Sequence, residues 1–429
     1  MEKSISKITS RIYEIIFREK ISFGIQNFIQ NLGYAVFGYG IAALCMFGFQ
    51  ITVGRFLGPE EYGKYVLVDS IAICLQISMI LGISTAMVKY GAERNDYETQ
   101  KKIISTSYLI VCFFSLIFTL FFNIFSNRIS RFFFVSSLIF RFSIIFALLY
   151  TVYILSTDVL RSLHKIKKLA IYRAGFGLLI IVALGIFMLN KSISFLAAVS
   201  SICFAYFLIF ILITLDIRKY LSFHLDKFWA YKFFRYGIFT VVSTICFVFL
   251  PIFSKLLVNK YLSTFDVGIY NAYYFSSVGI IIFLSETFIT VFFPTVSKYQ
   301  NKESILRKIR QLMPYLIVGG IFIIFTIEWI FLNLYGAKYP INYFLMWLFS
   351  FSSIFIAIYS IYSWLFLSEG MRGIKLVTFS AIITASINIF ISFYFIPIFA
   401  LYGAIVSLGI AYFIGIACLF LLKKKILLA

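Results

Sequence analysis

The sequence predicts an all-α integral membrane protein with about twelve transmembrane helices, arranged as two parallel six-helix repeats. Two observations predict this class. The first is composition, since 62% of the 429 residues are hydrophobic and only 13% are charged, whereas about a quarter of the residues in a soluble domain are charged. The second is a motif that occurs once in each half of the chain.

Apolar runs long enough to cross a bilayer recur about twelve times. A hydrocarbon core of about 30 Å needs about 20 residues of helix. The runs predict spans at 33–56, 65–88, 103–125, 138–160, 169–190, 193–215, 236–258, 272–294, 312–334, 341–366, 376–398 and 402–422.

The distribution of Lys and Arg supports this count and gives an orientation. With twelve spans, the two termini and the connections on their side of the membrane hold 29 Lys and Arg, and the other side holds 9. Basic residues are enriched in cytoplasmic connections. We therefore expect both termini in the cytoplasm, and removing one span would destroy the alternation.

The repeated motif is RFLGPEEYGKY at 55–65, echoed by KYLSTFDVGIY at 260–270. Gly268 follows Gly63 by 205 positions, and each glycine has an acidic residue two positions before it. Because each half has an even number of spans, both halves enter from the same side and form parallel repeats. Two interpretations of the motif are open: it forms a structural turn, or it binds a glycan.

Five segments follow from this division. We expect an amphipathic N-terminal segment at 1–30 that lies on the cytoplasmic membrane surface. Two six-helix bundles follow at 31–216 and 236–422, joined by a cytoplasmic linker at 217–235, and a basic tail covers 423–429.

Several function classes are disfavoured. The net charge of +21 sits in short tracts between apolar runs, which is typical of membrane anchoring and not of a nucleic-acid surface. The six cysteines lie within apolar runs without CxxC spacing, and the two histidines lack partners at metal-ligand spacing. We expect no metal, no cofactor, no catalytic residue and no nucleotide-binding loop.

Charges inside predicted spans are candidate functional residues, because burying a charge in a bilayer is costly. Near the outer ends of their spans lie Asp69, Lys255, Arg55 and Glu328. The equal depths of Asp69 and Lys255 predict a contact between the halves that closes an outer gate. The alternative for Lys255 and Arg55 is that they extend to the membrane interface.

Two carboxyl groups lie deeper. Glu286 has no basic residue within a helical turn, so it is the strongest candidate for ion coupling, with a neutral hydrogen-bonded carboxyl as the alternative. Asp158 lies three positions before Arg161, and this spacing favours a local ion pair over a substrate contact.

The motif RFLGPEEYGKY, followed by LGISTAMVKYGAE at 81–93, resembles the polysaccharide-transporter family, the O-antigen flippases of bacterial surface glycan synthesis. The resemblance implies a fold similar to multidrug and toxin extrusion transporters, with a central cavity lined by the first, second, seventh and eighth helices. Many relatives place an acidic residue before a basic one late in the seventh helix, whereas this chain has Ser254 and Lys255.

The implied substrate is an oligosaccharide on polyprenyl pyrophosphate, moved to the outer leaflet of the bacterial inner membrane. Implied partners are membrane lipid, H⁺ or Na⁺ as coupling ion, and a glycan polymerase with its chain-length machinery. On this interpretation Lys255, Arg55 and Arg161 compensate the pyrophosphate, Asp69, Asp158, Glu286 and Glu328 serve gating or coupling, and the cavity helices contribute Tyr39, Gln50, Tyr270, Asn271 and Tyr274.

Two alternatives stay open. A drug or cation antiporter of the same fold would place lone carboxylates in its cavity, and Glu286 is compatible with that. An integral-membrane glycan polymerase would usually need a large external loop, whereas the predicted external connections are short.

Overall fold

The computed structural model describes residues 23–94, 96–190, 194–285, 302–367 and 371–428, and helices dominate throughout these ranges. The N-terminal residues 1–22 and Glu286 lie outside them. The helices are α1 Phe23–Leu57, α2 Pro59–Ile80, α3 Ile83–Ala92, α4 Tyr97–Ile124, α5 Ser126–Phe132, α6 Ser137–Ser162, α7 Ile166–Leu189, α8 Phe195–Ile217, α9 Lys227–Tyr261, α10 Thr264–Tyr274, α11 Lys302–Tyr335, α12 Tyr343–Leu367 and α13 Met371–Leu428.

The predicted number of spans is recovered once α13 is understood as a hairpin. Eleven helical segments of the described chain are long and apolar enough to cross a membrane, and the last, Gly373–Leu422, has 50 residues. It breaks at Ala400, whose φ of 51° and ψ of −130° are not helical. The hydroxyls of Ser392 and Ser407 lie 2.7 Å apart, which a continuous helix would separate by about 22 Å. The two arms are therefore antiparallel, and each is long enough for one crossing.

The first motif forms a very short connection. Gly58, with a φ of 78° that favours glycine, is the single non-helical residue between α1 and α2. Pro59 begins α2, and Glu60 and Glu61 lie in its first turn, where the helix dipole favours negative charge. Helix α2 therefore begins earlier than the predicted span at 65–88. We call the end of the bundle that holds Gly58 the outer end and the opposite end the inner end, following the orientation that the distribution of Lys and Arg predicts.

Glu61 also fixes a neighbouring helix. Its carboxylate accepts a hydrogen bond from the backbone N–H of Phe195 at the start of α8, at 3.1 Å, and forms an ion pair with Lys64 at 2.6 Å. In the second copy, Ser263 caps α10 by accepting from the N–H of Asp266 at 3.1 Å. These contacts support the interpretation of the motif as a structural turn.

The two copies of the motif contact each other across the seam between the halves. A Cβ atom on Gly63 would overlap the carbonyl oxygen of Thr264, and one on Gly268 would overlap that of Pro59. Each contacted carbonyl lies four residues before the opposite glycine, so the crossing of α2 and α10 is nearly two-fold symmetric. Only glycine allows backbones to approach this closely.

Two boundaries differ from the prediction. Helix α2 stops at Ile80 because Leu81 and Gly82 adopt positive φ angles of 49° and 67°, and the short helix α3 follows. Helix α9 begins at Lys227, inside the expected linker 217–235, because Asp226 caps its first N–H groups.

Candidate functional site

A hydrogen-bonded group at the outer end joins the halves. The hydroxyl of Tyr62 donates to Oε1 of Gln50 at 2.8 Å and accepts from Nδ2 of Asn271 at 2.8 Å. The Tyr335 hydroxyl lies 3.2 Å away. Because the amide oxygen of Gln50 only accepts, the proton of Tyr62 points to it and Tyr335 must donate. One buried hydroxyl therefore joins α1 and α2 to α10 and α11.

Further bonds extend this group. Nε2 of Gln50 donates to the hydroxyl of Tyr65 at 3.1 Å, and the hydroxyl of Tyr339 donates to the carbonyl of Gly54 at 2.9 Å. All of these side chains are buried. We call the set the outer network; its members are Gln50, Tyr62, Tyr65, Asn271, Tyr335 and Tyr339. It seals the seam at the outer end.

Opposite charges lie further inward. Lys255 is only 9% exposed, and its ammonium lies 4.9 Å from the ring centroid of Tyr274. Asp69 is partly accessible. Lys255 and Asp69 attract each other across the seam without an ion pair within 4.0 Å. The predicted gate contact is thus an attraction at longer range.

A second charged group lies at the inner end of the first half. Asp158 is buried and forms an ion pair with Arg161 at 3.1 Å. Arg161 also donates to the hydroxyl of Tyr39 at 3.1 Å. The guanidinium of Arg173 lies 4.0 Å from the ring centroid of Tyr39. We call Tyr39, Asp158, Arg161 and Arg173 the inner cluster.

Arg173 was missing from the sequence-based candidates because it was counted with the basic residues of a cytoplasmic connection. Its position inside the span predicted at 169–190 was the signal that could have identified it. Its Nε–H is buried and has no hydrogen-bond partner within the described ranges. A buried donor without an acceptor is costly, and it points to an acceptor beyond those that the described residues supply.

Other predicted site residues are dispersed. Arg55 is exposed at the outer end, where it donates to the carbonyl of Leu334 at 3.4 Å. Arg161 lies next to the inner end of α6, a helix of 26 residues that spans about 39 Å. One pyrophosphate therefore cannot contact both arginines, and the predicted trio of Arg55, Lys255 and Arg161 is not a single site.

The remaining two candidates lie inside the second half. Glu328 is fully buried; Ser350 lies 3.4 Å from one of its carboxylate oxygens, and the other oxygen has no partner in the described part of the chain. The ring of Tyr270 stacks on that of Tyr274 at a centroid distance of 6.0 Å and packs against Phe349.

The fold is similar to that of several transporters of known structure. An inward-facing multidrug resistance MATE family transporter of the MOP superfamily is similar, with a TM-score of 0.63, 13% identity, and coverage of 90% of this chain and 95% of that chain. The outward-facing conformation of such a transporter gives a TM-score of 0.57, 15% identity, and 95% and 99% coverage. A MOP superfamily transporter from Pyrococcus furiosus, described as having a binding pocket of reverse polarity, is also similar. Its TM-score is 0.59 at 14% identity, and the match covers 95% of this chain and 99% of that chain.

The family follows from the sequence match. A family model described as polysaccharide biosynthesis protein matches residues 28–300, which is more than half of the chain, and the chain belongs to that family. No curated protein matches it. The predicted fold class and family resemblance are confirmed, and the protein is a multi-pass membrane protein.

Proposed function

We propose that the protein is a flippase that moves a polyprenyl-pyrophosphate-linked oligosaccharide, an O-antigen or similar glycan unit, from the inner to the outer leaflet of the bacterial cytoplasmic membrane. It works by alternating access, with both termini in the cytoplasm. Family membership supports a role in polysaccharide biosynthesis, and the fold supports transport.

The observation that carries this proposal is the orphan Nε–H of Arg173 in the inner cluster. A phosphate offers several acceptor oxygens, and guanidinium groups match its planar, bidentate geometry. Arg161 donates to the hydroxyl of Tyr39, and Arg173 lies over the ring of the same residue, so two cations can approach one pyrophosphate. On this proposal, a substrate from the inner leaflet enters at the inner cluster.

The path beyond the inner cluster follows the seam. The prenyl tail is soluble in lipid, so the protein must shelter only the pyrophosphate and the sugars. Lys255 offers a further cation beyond the two arginines, beside the ring of Tyr274, and Asp69 is a partly accessible acid in the same region. Release to the outer side then requires the outer network to break, which is the step that alternating access demands.

The driving force acts on the charge of the substrate. An inside-negative potential favours outward movement of an anion by about 2.3 kcal/mol per charge per 100 mV. Coupling to H⁺ or Na⁺ rests on Glu286, which lies outside the described residues; Glu286→Gln should impair transport at normal protein level. A glycan polymerase and its chain-length machinery would receive the product.

The experiment combines gene deletion with lipid analysis. Deletion should leave full-length repeat-unit lipid on the inner leaflet. Arg173→Gln should reduce the rate at which this lipid leaves the inner leaflet at least about tenfold, since a hydrogen bond to a charged group contributes about 1.5–3 kcal/mol. Arg173→Lys should restore part of that rate. The control is Arg218→Gln, at an exposed inner-end arginine. Normal clearance by Arg173→Gln would overturn the assignment of the inner cluster.

The second candidate is a drug or cation antiporter of the same fold. The buried carboxyl of Glu328, with an oxygen that no described residue satisfies, favours it. An unchanged lipid pool together with altered dye efflux in the deletion strain would select the antiporter. Single units that reach the outer face without polymerisation would instead indicate a polymerase.

A further inference from the structure

The seam between the halves has an aromatic contact at its inner end. Tyr90 in α3 packs against the first turns of α9, with ring centroids 5.8 Å from Trp229, 6.4 Å from Phe233 and 6.0 Å from Tyr236. We call these four residues with Lys89 and Lys232 the inner seam. Helix α3 belongs to the first half and α9 to the second, so the inner seam bridges them.

Two lysines, one from each half, converge on this contact. The ammonium of Lys89 lies 4.6 Å from the ring centroid of Tyr236 and 5.6 Å from that of Tyr90. The ammonium of Lys232 lies 4.9 Å from that of Trp229 and 5.7 Å from that of Tyr90. Both ammonium groups therefore lie within 5.7 Å of the centroid of one ring, that of Tyr90.

The described residues give these two lysines no ion pair within 4.0 Å. The carboxylate of Glu93 acts on Tyr236 through its field. Lys89 is exposed and Lys232 partly so. Ring faces attract cations, but they do not remove the repulsion between two ammonium groups, whereas an anion placed between them would.

We propose that the inner seam binds the phosphate of an anionic phospholipid of the inner leaflet, which bridges Lys89 and Lys232 and so ties the two halves together. The flexible stems of both lysines allow them to turn toward one phosphate. This inference does not depend on which substrate the protein carries.

The depth of the inner seam favours a lipid over a free ion. Lys232 lies five residues into α9, about 8 Å along the helix, and tryptophan and lysine together are typical of the headgroup level. Phe228 is 59% exposed and Tyr231 is 66% exposed, so apolar surface for acyl chains adjoins the lysines. Basic pockets between helices on the cytoplasmic side are known to suit anionic headgroups.

The experiment measures lipid binding to the purified full-length protein by native mass spectrometry. Phosphatidylglycerol is titrated against zwitterionic phosphatidylcholine. Lys89→Gln and Lys232→Gln should each weaken phosphatidylglycerol binding about fivefold, since one lysine near an anionic surface contributes about 1 kcal/mol, and the double variant should lose more. The matched control, Lys101→Gln with Lys102→Gln at the inner end of α4, should bind within about twofold of the wild type.

Three results would overturn the proposal. One is equal loss in the inner-seam and control variants, which would mean a general surface charge effect. Another is equal binding of phosphatidylcholine and phosphatidylglycerol by the wild type. The third is competition by millimolar inorganic phosphate that depends on both lysines, which would identify a free-anion site. A monodisperse size-exclusion profile for each variant shows that it is folded.

Discussion

The two ends of the seam join the same halves by different chemistry. At the outer end, the Gly63 and Gly268 crossing lies beside directional hydrogen bonds between buried hydroxyls and amides. At the inner end, Gly82 and Gly237 also approach closely, but aromatic rings and ammonium groups make the neighbouring contact.

This difference indicates two mechanical roles. Buried hydrogen bonds are satisfied at one geometry, and a donor without its partner is costly, so the outer network should open and close as a unit. Ring contacts tolerate several arrangements, so the inner seam can slide or rotate while it stays in contact. The outer network is therefore expected to act as a lock and the inner seam as a pivot.

The largest effect is expected from Gly268→Val. Its side chain would overlap the backbone of Pro59, and backbone cannot move aside as a flexible side chain can, so α2 and α10 must separate. Overpacking costs about 1–3 kcal/mol or more. Because backbone is the obstacle here, we expect the upper part of this range, which would shift the outer end toward the open state by more than about tenfold. Spin labels at the exposed positions Arg128 and Asn333 should show a longer distance.

The matched control for that variant is Gly40→Ala, at a glycine with no atom within 4 Å of an added Cβ. An unchanged distance distribution in Gly268→Val would show that the outer end does not need the close crossing.

A smaller effect is expected from Tyr62→Phe. Removing this hydroxyl leaves Gln50, Asn271 and Tyr335 without their shared partner, at a cost of about 1–3 kcal/mol for buried polar groups. The same spin-label pair should report an open fraction raised about five- to tenfold. The control, Tyr343→Phe at an exposed outer position, should give the wild-type open fraction. If Tyr62→Phe gives the same open fraction as this control, the outer network does not control opening of the outer end.

The attraction between Lys255 and Asp69 should give a moderate coupling. In a double-mutant cycle of Lys255→Gln and Asp69→Asn, residues that interact typically couple by about 0.5–3 kcal/mol. Without a direct ion pair we expect a coupling free energy of about 1 kcal/mol. The transport rate of the double variant should then be about fivefold higher than the rate obtained by combining the losses of the two single variants. Strict additivity of the losses would mean that the two charges act independently.

The smallest effect is expected from Tyr90→Leu in the inner seam. An aromatic pair contributes about 0.5–1.5 kcal/mol beyond its buried area, and leucine keeps an apolar contact with Trp229 and Phe233. At the lower end of that range, lipid clearance should fall about two- to threefold. A loss of clearance as large as that of Tyr62→Phe in the same assay would contradict the division into lock and pivot.

The fold was largely predictable because hydropathy and charge alternation report on the bilayer directly. The hairpin at Ala400 matches the predicted break between spans 376–398 and 402–422. The repeat itself was visible in the spacing of Gly63 and Gly268. Their mutual contact was not, because a repeat shows which segments are equivalent and not which faces meet.

The site was less predictable, for reasons that differ between residues. Gln50 and Asn271 were predicted as cavity residues, but they meet through Tyr62. Tyr62 was not among the predicted cavity residues, and the second copy has Val267 at the equivalent position. Periodicity also cannot show that Tyr39 and Arg173 meet, since they lie on separate helices.

The crossing of Gly63 and Gly268 has a consequence for the history of the chain. Each copy provides the surface that limits the size of the other, so two positions 205 residues apart behave as a single structural element. A duplicated gene is free to diverge wherever its halves face lipid or fill their own bundles. At this crossing the two halves still constrain each other's dimensions, and neither glycine can acquire a side chain unless α2 and α10 move apart.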